Sequence, residues 1–303
     1  MAMNTYVMGL IREVSENNII GAKKYVKAII NSEKSEKNKG FCNEIRTKLE
    51  ASGANLMELP ANVRDVMSVE DVSVSFNESR YYLSEREREI YENIASANEV
   101  NEKLSKMGIR YLNATMLYGE SGTGKTTFGR YVAYKLGVPF SYLKFSHCVD
   151  SYLGATSKNI VKAFDYIKLS KCVFMIDEID AIGMKRGGSS NEVGEMSRVV
   201  IGLMQAFDLL SNDVVLIGAT NRKDILDEAL IRRFTMFHEV LPLQSMDELS
   251  KYVEAFFSSI EISENLMNAI WNDVYFDGSA KQSSVTNRIT QNIIKHLKDG
   301  LEV

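Results

Sequence analysis

Apolar residues recur at about every fourth position at the start of the chain: Tyr6, Leu10 and Val14, then Ala22, Val26 and Ile30, then Phe41, Ile45 and Leu49. That period predicts short helices with one apolar stripe each. Between the second and third set lies NSEKSEKNKG, residues 31–40, which has no apolar residue and reads as a solvated loop or connector. A small helical segment is therefore expected over residues 1–66, joined to the rest through Leu59, Pro60 and Ala61. From Met67 to Leu241 the pattern changes to short β-rich runs separated by longer amphipathic stretches, the alternation that a parallel α/β sheet requires. The candidate strands are Ala114 to Tyr118, Phe140 to Phe145, Cys172 to Ile176, Val214 to Ala219 and Met236 to Leu241. Several are apolar nearly throughout, as strands covered on both faces should be. After Pro242 the pattern is wholly helical, with Leu249, Tyr252 and Phe256, then Ile270 near Trp271, then Val285, Ile289, Ile293 and Leu297. Residues 242–303 are thus expected to form a small helical lid, and no internal repeat is visible.

Composition narrows the classes. The chain has 303 residues, 45% hydrophobic and 25% charged, which excludes disorder, collagen and disulfide mini-protein readings. Lys and Arg total 36 against 40 for Asp and Glu, a net charge of −4, so no chain-wide electrostatic argument favours nucleic acid or an anionic membrane. Cys42, Cys148 and Cys172 form no CxxC pair, which supports neither a disulfide framework nor a zinc site and fits a reducing, cytoplasmic setting. His147, His238 and His296 lack metal-ligand spacing, and the 14 methionines read as core filler. No apolar run approaches the ~20 residues of a membrane span, and the N-terminal stretch has acids where a signal peptide needs an apolar core.

Directly after the first candidate strand stands GESGTGKTT, where Gly119, Gly124, Lys125 and Thr126 satisfy the spacing G-x-x-x-x-G-K-[ST]. An amphipathic stretch with Phe128, Val132 and Leu136 begins at the lysine, so the loop sits where a helix N-terminus aims its free N–H groups at an anion. Gly119, Glu120, Ser121, Gly122, Thr123, Gly124, Lys125, Thr126 and Thr127 are the expected phosphate cradle for ATP. Lys125 supplies charge to the β and γ phosphates, and the Thr126 hydroxyl suits a Mg2+ ion. A glycine-rich turn alone could bind nothing; its place between strand and helix argues otherwise. Further on, the apolar run Cys172 to Ile176 ends in Asp177, Glu178, Ile179 and Asp180, which puts carboxylates at the carboxyl end of a buried strand. Asp177 is expected to hold Mg2+ through its water shell and Glu178 to orient and partly deprotonate the attacking water. Acids after a strand are often only helix caps, and it is the P-loop that favours the catalytic reading.

These segments, with GATNR at Gly218 to Arg222 and DEALIRRF at Asp227 to Phe234, stand in the order and spacing of the AAA ATPase module. From about Met67 onward the chain resembles the ATPases of the katanin and spastin type and those of the proteasome and membrane proteases. The resemblance implies a five-stranded parallel P-loop NTPase sheet over residues 67–241, a four-helix lid, and assembly into a homo-oligomeric, usually hexameric, ring. It implies that Asn221 is the sensor holding the nucleophilic water, a task that suits an amide because it both donates and accepts. Arg232 and Arg233 match the paired arginine fingers that reach a neighbouring subunit's site, where a permanently charged fork suits phosphate oxygens. Tyr152, Leu153 and Gly154 match the loop that lines the pore and grips an unfolded polypeptide, and a second pore loop is expected near Lys185 to Glu192. GSAK at Gly278 to Lys281 is similar to the small-residue lid motif that contacts adenine and ribose, which implicates Gly278 and Ala280; an arginine sensor is missing there, as that clade leads one to expect.

Two departures stand out. Glu120 and Ser121 replace the usual proline-rich entry, and the Glu120 carboxylate either weakens nucleotide binding or turns outward. The stretch Val69 to Tyr82 stands where the family supplies contacts to adenine but matches poorly, so no adenine-reading residue is named. The function expected is an ATP-hydrolysing remodeller that threads, unfolds or disassembles protein clients. The 303 residues contain no HExxH motif, so proteolysis would need a separate peptidase, and the N-terminal helices would serve as an adaptor or as a cap on the ring. The first competing reading is a nucleic-acid-handling, helicase-loader-like ATPase, against which the acidic balance and the Tyr152 loop speak. The second is a nucleotide-gated scaffold, which would have no need of Glu178, Asn221 and both arginines.

Overall fold

A computed structural model describes residues 5–15, 19–33, 35–51, 59, 61–144, 155–168, 170–181, 200–274 and 276–299. The N-terminal segment contains α1 (Thr5–Ser15), α2 (Ile19–Ser32) and α3 (Lys39–Ala51), so the polar stretch predicted as a connector does separate two helices. The stripe of α1 packs only in part: Gly9 lies against the Tyr25 ring of α2, while Tyr6 and Val14 are exposed. A short turn of helix, α4 (Ala61–Arg64), leads into the sheet.

The sheet has six strands: β1 (Met67–Glu70), β2 (Asn113–Tyr118), β3 (Phe140–Lys144), β4 (Cys172–Asp177), β5 (Val214–Thr220) and β6 (Met236–Glu239). Their order is β1-β3-β4-β5-β2-β6. The five strands expected from the apolar runs are all present and mutually parallel. The expected count of five is corrected by β1, which pairs antiparallel with β3, Met67 opposite Leu143 and Glu70 opposite Phe140. Between β1 and β2 come α5 (Val72–Ser75) and α6 (Glu85–Lys106). The helix α7 (Lys125–Leu136) follows β2, α8 (Ala155–Ile167) follows β3, and α9, described over residues 200–207, precedes β5. The single turn α10 (Glu228–Ile231) separates β5 from β6.

Side chains of one strand alternate between two cores, the period of two that a pleated strand imposes. Cys172, Phe174 and Ile176 enter a cluster with Phe164, Phe207 and Phe234, whereas Val173 and Met175 enter a second cluster with Ile90, Ile94, Phe128 and Val132. Burial on both faces is the physical reason these strands read as continuous apolar runs. Leu59, Val63 and Val66, from the stretch ahead of β1, belong to the first cluster and tie that stretch to the sheet.

A third cluster forms the lid: Leu249, Val253 and Phe257 of α11 (Met246–Phe257), Leu266 and Ile270 of α12 (Glu264–Asp273), and Val285 and Ile289 of α13 (Gln282–Lys298). The implied four-helix lid has three helices among the described residues. Serines cap two of them, Ser245 Oγ accepting from Glu248 N–H and Ser263 Oγ from Leu266 N–H. An isolated backbone bridge between Leu243 and Ala280 closes the lid on the segment that leads into it from β6. No helix among the described residues is long and apolar enough to cross a membrane.

The fully buried Phe174 meets Phe164 edge to face, centroids 5.2 Å apart. Phe174→Ala should lower stability by about 3–5 kcal/mol through the cavity it leaves, seen as a lower urea midpoint, while Val74→Ala at an exposed position should change it by no more than ~0.5 kcal/mol.

Candidate functional site

β4, β5 and β2 lie side by side in the sheet, so their carboxyl ends open on one side and form the crevice that open α/β sheets use for ligands. A cleft of about 450 Å³ occupies it, lined by Ser121 to Thr127 of the loop after β2 and the first turn of α7, by Asp177 at the end of β4 and Glu178 just after it, and by Asn221 after β5. The loop is shaped by glycine. Gly119 takes φ +142°, where a side chain would run into the Val240 carbonyl, and Gly124 caps α7 in the left-handed region at φ +91°.

Lys125 is 7% exposed, and its Nζ donates to Gly119 O at 2.8 Å, Glu120 O at 2.7 Å and Asn221 Oδ1 at 2.8 Å. Burial lowers its pKa, and the charges of Asp177, Asp180 and Glu120 oppose that shift. Asn221 is aimed by its neighbours: Thr220 Oγ1 donates to Asp180 Oδ1 at 2.8 Å and accepts from Arg222 N–H at 2.9 Å. On the same side, Lys223 Nζ sits 4.1 Å above the Tyr118 ring, a cation–π contact that fastens the end of β5 to the end of β2.

The Asp177 carboxylate is the second focus. Its Oδ2 accepts from Thr126 Oγ1 at 2.8 Å and from Tyr142 Oη at 3.1 Å, and its Oδ1 accepts from Glu178 N–H at 2.9 Å. Burial, then the Asp177 charge, raises the Tyr142 pKa, so the phenol stays protonated as a donor. Glu178 is the only non-glycine residue with positive φ among the described residues, at +56°. A left-handed glutamate stores strain of about 1–3 kcal/mol, which the bond to Asp177 helps to hold. One hydroxyl and one carboxylate 2.8 Å apart fit Mg2+, which takes one or two protein oxygens and completes its shell with phosphate and water. Among the described residues no group of three or more His, Cys, Asp or Glu could hold a metal by itself.

The Glu120 carboxylate turns out of the cradle and pairs with Lys281 at 2.7 Å, which lowers its pKa. The lid reaches the loop a second time through Ser283 N–H, which donates to Gly122 O at 3.0 Å. From the lid, Tyr252, Gln282, Ser283, Thr286 and Asn287 line the cleft, and Arg80, Tyr81 and Tyr82 line it from the segment before α6. Phenols and amides on facing walls offer stacking and paired hydrogen bonds to a planar base. Burial pushes the Tyr82 pKa up to about 12. Gly278 and Ala280 do not line the cleft: Gly278 makes a turn at φ +74°, and the Ala280 backbone is bonded to Leu243. The sequence gives no sign of the roles of Tyr142 or of Tyr252, Gln282, Ser283, Thr286 and Asn287, whereas Arg80, Tyr81 and Tyr82 fall at the end of the stretch Val69 to Tyr82 that the resemblance placed near adenine.

Arg232 and Arg233 do not line the cleft either. Arg232 stands in solvent 3.7 Å from Glu228, and Arg233 pairs with Asp208 at 3.2 Å. Both guanidinium groups are free to meet another molecule at a cost no larger than that of a surface ion pair. Tyr152, Leu153 and Gly154, and Lys185 to Glu192, lie outside the described residues.

The model of the ATPase family associated with various cellular activities (AAA) matches residues 115–241. The ATP-dependent zinc metalloprotease FtsH 1 of Thermomicrobium roseum is 33% identical over 190 residues, 56% of this chain and 29% of that protein. The ATP-dependent zinc metalloprotease FtsH of Lachnoclostridium phytofermentans is 42% identical over 136 residues, 43% of this chain and 23% of its own length. The peroxisomal ATPase PEX6 of Saccharomyces cerevisiae is 36% identical over 134 residues, 43% of this chain and 13% of the relative. The matched part of the chain thus spans under a third of each of these relatives. The family match falls on the stretch that carries the phosphate loop, the acids at the end of β4, Asn221 and the two arginines, so residues 115–241 of this chain are an AAA ATPase domain.

Proposed function

We propose that the chain binds ATP with Mg2+ in the cleft, hydrolyses it, and uses the cycle to thread, unfold or disassemble protein clients as a ring of copies. The observation that carries the ATPase reading is the convergence of Lys125, Thr126, Asp177, Glu178 and Asn221 on one cleft. The relatives named above are either ATP-dependent proteases or peroxisomal ATPases. Their names share ATP and differ in the rest, so ATP use is what carries over most directly. Protein remodelling is supported by the protease relatives and by the Tyr152-Leu153-Gly154 motif.

In this reading Lys125 exchanges its carbonyl and amide partners for phosphate oxygens, a substitution of one set of acceptors for another. Thr126 and Asp177 would hold Mg2+, which when bound offsets charge on the phosphates. Glu178, directed by its left-handed backbone, orients a water and takes its proton, and Asn221 holds that water from the other side. Arg232 and Arg233 of one copy complete the site of the next, which accounts for their exposure and for their distance from the cleft lining. Hexameric order, a peptidase or adaptor docked on the N-terminal helices, and a cytoplasmic setting belong to the same proposal.

Lys125→Ala should remove ATP binding, read by equilibrium titration of a fluorescent nucleotide; unchanged affinity would sink the phosphate-loop assignment. Glu178→Gln should bind ATP normally, lower turnover by 100-fold or more, on the order expected for loss of a general base, and retain clients during purification in ATP. Recovery of a specific protein supports the remodeller, whereas nuclease-sensitive nucleic acid would move the assignment to the helicase-loader-like alternative. Arg232→Ala and Lys125→Ala should each be inactive, and mixing them should restore part of the turnover, since mixed rings place an intact arginine beside an intact loop. Absence of rescue at every ratio would argue against action across copies.

A further inference from the structure

The geometry points to Tyr142 as a positioning residue for the metal-holding carboxylate, an inference that rests on the reading of the cleft as a Mg2+–nucleotide site. A carboxylate offers about four acceptor positions, two per oxygen. In Asp177 both positions on Oδ2 are taken, by Thr126 Oγ1 and Tyr142 Oη, and one on Oδ1 is taken by Glu178 N–H. One acceptor position remains among the described residues, on Oδ1, and it has a fixed direction because the group is held by donors from three elements, α7, β3 and the turn after β4. A carboxylate held by one hydroxyl alone could swing about its Cβ–Cγ bond.

The ring of Tyr142 is seated for this task. Its backbone pairs with Met175 in the β3–β4 ladder, and the side chain packs on the core cluster that holds Phe128 and Val132 of α7, 6.0 Å from the Phe140 ring. The phenol is therefore set by the same packing that sets α7, the helix that carries Thr126. Two donors to one oxygen are thereby kept at a constant separation, and the carboxylate plane follows them. Outer partners of metal-holding groups commonly govern metal affinity in this way without touching the ion.

A competing electrostatic effect has the opposite sign. A phenol that donates to Asp177 withdraws some of its negative charge, so removing the hydroxyl would strengthen the bare attraction for a cation. Positioning predicts weaker metal coupling in Tyr142→Phe, and charge withdrawal predicts stronger coupling. The phenylalanine keeps the ring and its packing, so the fold is expected to persist with an unchanged thermal midpoint.

The test is made at equilibrium with the full chain and a fluorescent ADP analogue, first without metal and then across a Mg2+ titration. Tyr142→Phe should bind the metal-free nucleotide as the wild type does and need on the order of tenfold more Mg2+ to reach half of the metal-dependent gain in affinity. An equal or lower Mg2+ requirement, with nucleotide binding intact, would overturn the role of Tyr142 and leave the nucleotide site standing. Failure of the wild type to bind nucleotide at all would overturn the site reading and this inference with it.

Discussion

A lysine ammonium with 7% of its surface exposed is the constraint around which the site is arranged. Taking such a charge out of water is costly unless its protons are bonded. Lys125 meets the condition with one oxygen for each of its three protons, two from its own loop and one from Asn221. The arrangement requires the loop carbonyls to point inward, which requires the glycine conformations at 119 and 124, and it requires the end of β5 to lie beside the end of β2. Strand order, loop shape and side-chain chemistry are thus one problem with a shared solution. Replacing those oxygens by phosphate oxygens would leave the ammonium satisfied, so binding need not be opposed by an orphaned donor.

The same economy holds the acids. Asp177 ends a strand buried on both faces, so its backbone position is set by the core, while the direction of its carboxylate is set by three hydrogen bonds. Asp180 is used one turn later to pin Thr220, and through it the start of the Asn221 turn. Within four residues of chain, Asp177 and Glu178 line the cleft while Asp180 is turned to a structural bond. The backbone strain at Glu178 sits between the fully buried Ile176 and Ile179, which fix the chain on either side of it.

Much of this was legible in the sequence. The five parallel strands could be read because two-sided burial makes them apolar throughout, and the phosphate loop because only certain residue types meet its geometry at fixed spacing. β1 escaped notice because MSVE, though it alternates apolar and polar residues, is only four residues long, too short a run to stand out until it pairs with β3, about seventy positions away. Tyr142 lay in plain view within FSYLKF, but nothing local tells an outward tyrosine from one that reaches a carboxylate on the next strand. The lid contacts failed for the same reason: Glu120 with Lys281, and Gly122 with Ser283, are pairings across 160 residues. The resemblance suggested Gly278 and Ala280 for the lid side of the cleft, whereas the lid residues that line it are Tyr252 of α11 and, from the start of α13, Gln282, Ser283, Thr286 and Asn287.

The sheet ends on both sides in a strand of only four residues, Met67–Glu70 and Met236–Glu239, each finishing in a glutamate. A short, charged margin presents few unpaired backbone groups and is a poor template for another strand. Copies of this chain would therefore gain little by extending one another's sheets. In the proposed ring, contact between copies would fall to helices, loops and exposed side chains, surfaces that can part and re-form without breaking a hydrogen-bonded ladder.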